Sequence, residues 1–164
     1  MERNRMRSLC LFALLASTAS ATDFIGMTYP PFRDGMQSTV GGCVAGSRGP
    51  EHECDYSVGT LESSEGKPIV LIGSRLVGHD EQQKAIWKVT SSVAYPDVPD
   101  GYSLAIASCQ VNGEDDQTIV AVVRNEEAEW LGRFLWIRRF DLDKEVFVEQ
   151  PAEGVQCRNE AAGL

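Results

Sequence analysis

Apolar residues in this chain recur at every second position far more often than at helical spacing, and that alternation is the tightest constraint on what it can fold into. Across residues 85–93 (AIWKVTSSV), Trp87, Val89 and Val93 are expected on one face, with Lys88, Thr90 and Ser92 on the other. Residues 102–111 and 118–124 (TIVAVVR) read as strands around Asn112-Gly113-Glu114-Asp115-Asp116, where Asn-Gly supplies the positive φ of a tight hairpin. Residues 134–142 and 146–149 pair around Asp143-Lys144-Glu145, and residues 55–62 and 68–77 pair around 63–67. One stretch breaks the alternation. Asn125 can cap a short helix or turn over 126–132, with Glu126 and Glu127 against its dipole, before a strand resumes. The pattern predicts a mainly β protein, an antiparallel sandwich or barrel, with at most that one short helix.

The N-terminus bounds the compartment. Arg3, Arg5 and Arg7 precede a short apolar run (LCLFALLA, 9–16), and Ala19-Ser20-Ala21 is a small-x-small cleavage site. Residues 1–21 therefore read as a cleaved signal peptide, and 22–164 as a single β-rich domain exported to the periplasm or extracellular space. The run is far short of the ~20 residues needed to span a bilayer. Loss of 1–21 removes three arginines and one glutamate, which moves the formal net charge from -9 to -11. So acidic a chain repels phosphate backbones and anionic lipid heads, which excludes nucleic acid as a partner and suits a basic envelope or secreted protein.

Cys10 leaves with the signal, and Cys43, Cys54, Cys109 and Cys157 remain. An even count in an exported chain reads as two disulfides. The expected pairs are Cys43–Cys54, closing a polar loop without hydrophobic pattern, and Cys109–Cys157, tying the C-terminal tail to a strand. A zinc site would need closer cysteine spacing than this chain has.

The two halves share a motif. Tyr29-Pro30-x3-Asp34-Gly35-x7-Cys43 recurs as Tyr95-Pro96-x3-Asp100-Gly101-x7-Cys109, which suggests internal repeat units over about 29–94 and 95–160. Tyr29 and Tyr95, each ahead of proline in a turn, are candidates either for an interaction surface or for packing over a sheet end.

The search for chemistry yields no catalytic, cofactor or metal motif. Ser64-Glu65-Gly66-Lys67 matches Ser-x-x-Lys, but in a Gly-containing turn rather than at a helix start. His52 and His79 lie in charged, loop-like stretches. The carboxylate groups Asp97/Asp100, Glu114–Asp116, Glu126/Glu127/Glu129 and Asp141/Asp143 all fall in expected turns or loops. The reading that follows is a non-enzymatic binding or inhibitory module acting on a protein partner. A carboxylate-dependent hydrolase and a small-ligand carrier of the envelope are the alternatives.

Overall fold

The computed structural model describes residues 20–46, 52 and 54–160. The expected signal peptide lies outside the described residues except for Ser20 and Ala21. Among the described residues, thirteen strands form three antiparallel sheets. The first sheet holds β1 (Thr28–Tyr29), β2 (Gly41–Val44), β3 (Tyr56–Glu62), β4 (Pro68–His79) and β5 (Ala85–Ala94), in the order β1-β5-β4-β3-β2. The second holds β6 (Tyr102–Ile106), β9 (Ile119–Arg124), β11 (Phe134–Asp141) and β12 (Val146–Glu149), in the order β12-β11-β9-β6. The third holds β7 (Cys109–Val111), β8 (Glu114–Asp116), β10 (Trp130–Leu131) and β13 (Val155–Arg158), in the order β10-β13-β7-β8. Residues up to 94 thus build the first sheet, and residues from 102 onward build the other two.

Three apolar clusters separate the layers. Val44, Val58 and Leu71 of the first sheet meet Val120 and Phe140 of the second, with Leu104 and Phe147 at the margin. On its outer face the first sheet buries Leu61, Val70, Ile72 and Val89 beneath an N-terminal segment carrying Phe24, Phe32 and Met36. The second sheet buries Ala105, Ile119, Ala121 and Val123 against Leu131, Val155, Cys109 and Cys157 of the third. β9 is buried on both faces, which explains its unbroken apolar run. The N-terminal segment is tied down by polar contacts as well: the Ser92 hydroxyl donates to the carbonyl of Ala21.

Sequence expectation and structure part at four places. Trp87 and Val89 pack on the outer face of the first sheet, whereas Val93 packs on the inner one. The register against β4 shifts between Gly73 and Ser74, and a bulge of this kind inverts side-chain parity beyond it. Residues 102–111 are two strands in different sheets, because Ala107 adopts φ 54° and redirects the chain after β6. Asn112 and Gly113, at φ 52° and 86°, make the expected tight turn, but it joins β7 to β8, so that 114–116 is strand rather than loop. Over 126–132, where a short helix or turn is expected, no helix forms: bends at 127–129 lead straight into β10 at 130–131.

Candidate functional site

Both disulfides join the expected partners, Cys43 with Cys54 and Cys109 with Cys157. The second lies within the core between the second and third sheets, at 3% and 0% exposure for its two residues.

Tyr29 is buried, at 8% exposure. Its hydroxyl donates to Ser74 Oγ at 3.0 Å, sits 3.3 Å from Ser57 Oγ, and its ring stacks on Phe32. Burial pushes its pKa above the ordinary tyrosine value, against the lowering effect of the two serine hydroxyls. Tyr95 is half-buried at the edge of the central core, and burial followed by the nearby Glu62 carboxylate raises its pKa too.

The other singled-out groups are scattered and mostly serve turns. Asp141 accepts from the backbone N–H groups of Asp143 and Lys144 and pairs with Lys144 Nζ at 2.9 Å, closing the β11–β12 hairpin. Asp116 takes Thr118 and the Arg139 guanidinium as partners. His52 Nδ1 lies 3.0 Å from Asp55 Oδ1, in a small polar pocket with Arg75 and Glu145, themselves paired at 3.2 Å. His79 ends β4, and Ser64 and Lys67 lie in the β3–β4 turn, where Ser63 Oγ accepts from the Glu65 and Lys67 N–H groups. Among the described residues, no three His, Cys, Asp or Glu side chains converge as a metal site would require.

Sequence reading missed Glu62. This carboxylate is 6% exposed and accepts from Thr39 Oγ1 at 2.6 Å, Thr60 Oγ1 at 3.2 Å and Gln37 Nε2 at 3.4 Å. Thr60 lies on the same strand, whereas Gln37 and Thr39 are brought in by the bridge between Gln37 and Glu62, a contact with no local sequence signal.

One carboxylate cluster does gather into a site. Glu126, Glu127, Glu129 and Glu160 line a groove of about 840 Å³ that runs between β6 of the second sheet and the end of β13 in the third. Ser103, Ala105, Val123 and Leu131 line it from below, and Arg158 is the single cation among its lining residues. Asn159 ties down the loop carrying the acids: its Nδ2 donates to the carbonyls of Glu126 (2.9 Å) and Ala128 (2.8 Å), while its backbone N–H donates to that of Glu129. Arg133 Nε pairs with Glu126 at 3.3 Å. Also lining the groove is Ser108, whose hydroxyl oxygen is buried and has no hydrogen-bond partner among the described residues. Such a cleft, apolar below and anionic at the rim, suits a cationic side chain with an aliphatic stem.

Comparison with protein-family models, with curated proteins and with solved structures finds no match.

Proposed function

We propose that this is an exported, non-enzymatic binding or inhibitory module that takes up a basic segment of a protein partner in the groove between the second and third sheets. The observation that carries this reading is the convergence of Glu126, Glu127, Glu129 and Glu160 around one cleft. The net charge of the chain would steer a basic partner toward any face, and the groove gives that attraction an address. Two disulfides, together with the absence among the described residues of a helix able to cross a membrane, are compatible with work outside the cytoplasm.

The test compares the oxidised protein, expressed from its full sequence, with a variant carrying Glu126→Lys, Glu127→Lys, Glu129→Lys and Glu160→Lys. Both are titrated against a set of purified basic envelope and secreted proteins at low and moderate salt. Saturable, salt-weakened binding that the variant loses supports the reading. Binding that survives the charge reversal, or none to any basic protein, overturns it.

A further inference from the structure

We infer that the basic segment enters the groove as an added β-strand, paired to the open edge of β6; this rests on the binding reading above and specifies its geometry. β6 is the last strand of its sheet, and among the described residues no strand covers its other side. Its hydrogen-bond parity follows from two bonds. Ala107 N–H donates to the Ile119 carbonyl, and Arg124 N–H donates away from β6, to the Arg133 carbonyl. Ser103 and Ala105 therefore pair with β9, while Leu104 and Ile106 direct N–H and C=O outward. Leu104 lines the groove even though its side chain packs into the core on the sheet's other face. What it presents to the groove is main chain.

An open edge of this kind is a template for another extended segment. Charge decides which segment. A second copy pairing edge to edge would bring two acidic rims together, so like-charge repulsion disfavours it. An extended basic segment is complementary. β6 has five residues, enough to pair with about 17 Å of strand. Side chains at every second position of the added strand would stand on the groove side. There, lysine or arginine stems would cover Ala105 and Leu131 while their charged ends reach the four glutamates. Ser108, at the point where the chain leaves β6, holds a hydroxyl without a partner among the described residues, beside the strand's end.

The probe is a fluorescent eight-residue peptide alternating lysine and threonine, titrated into the full oxidised protein. Two further versions carry backbone N-methyl groups, one on every lysine and the other on every threonine. Methylation removes N–H donors without changing charge, and in a strand only one of the two residue sets faces β6. Strand addition requires that one methylated peptide bind at least tenfold more weakly while the other keeps its affinity. Amide exchange at Leu104 and Ile106 should slow on binding of the parent peptide. If all three peptides bind alike and these amides stay unprotected, strand addition is wrong while the acidic groove still stands. If no version binds although a basic protein does, strand pairing is again overturned. If neither peptide nor any basic protein binds, the parent reading fails with it.

Discussion

At the scale of single residues, the tightest constraint lies where the first two sheets meet. A Cβ added at Gly73 would stand 2.9 Å from Phe140 Cζ and closer still to Cδ2 and Cε2. Phe140 is fully buried and cannot swing aside. Gly73→Ala should therefore cost about 1–3 kcal/mol by overpacking, read as a lowered urea midpoint with an unchanged slope. Adding Phe140→Leu should return part of that loss in a double-mutant cycle; strictly additive effects would show that the two residues are not in contact. Tyr29 offers a second prediction. The folded protein holds its phenolic proton more tightly than the unfolded chain does, so the resulting stability is complete below pH 10 and is lost as pH rises through the raised value. Tyr95 acts in the same direction. Tyr29→Phe should flatten the alkaline fall in Tm, and near neutral pH should cost about 1–2 kcal/mol as Ser74, itself fully buried, loses a partner. A Tm profile above about pH 10 that matches the parent protein would refute the assignment.

At the scale of elements, the disulfides differ in what they hold. Cys109–Cys157 closes a separation of 48 residues and fastens β13 to β7 inside a core, whereas Cys43–Cys54 closes one of 11 at an edge strand. The chain-entropy model gives about 4 kcal/mol for the long loop and about 3 kcal/mol for the short one. Replacing Cys109 and Cys157 by alanine should be the more damaging change and should expose residues near 150–160 to proteolysis. Equal loss from both double variants would count against this ranking. Those pairings were legible in the sequence because the four cysteines outside the expected signal peptide leave three choices, and loop composition favoured one. Hairpins were legible where a turn signal sits between alternating runs, as at Asp143-Lys144-Glu145. Alternation could not reveal the bulge that turns Val93 away from Val89, since the extra residue is defined only by its partner strand. Nor could it show Ala107 leaving β6, because alanine carries no bias toward positive φ. The groove was half visible. Glu126, Glu127 and Glu129 stood out as a cluster, but Glu160 and the edge of β6 reach it only through the sheet order.

At the scale of the whole molecule, the question is whether the residues before and after about 95 form one cooperative unit. The repeated Tyr-Pro, Asp-Gly and Cys spacing suggests two, and the chain does divide there between the first sheet and the other two. The packing argues for one. β4 sends Val70 and Ile72 to the outer core and Leu71 to the central core, and β9 sends Ile119, Ala121 and Val123 to one core and Val120 to another. Neither inner sheet can leave without opening the central core to water, and that core draws on both halves of the chain. Neighbouring layers sharing buried strands should melt together. Tryptophans report on the two halves separately: Trp87 on β5 and Trp130 on β10. A variant keeping only Trp87 and another keeping only Trp130 should give urea curves that each agree with far-UV circular dichroism of the same variant. Divergence of either fluorescence curve from its own dichroism curve would mean that the first sheet and the remaining two unfold as separate units, and the central core would then be an interface between repeats rather than the heart of one domain.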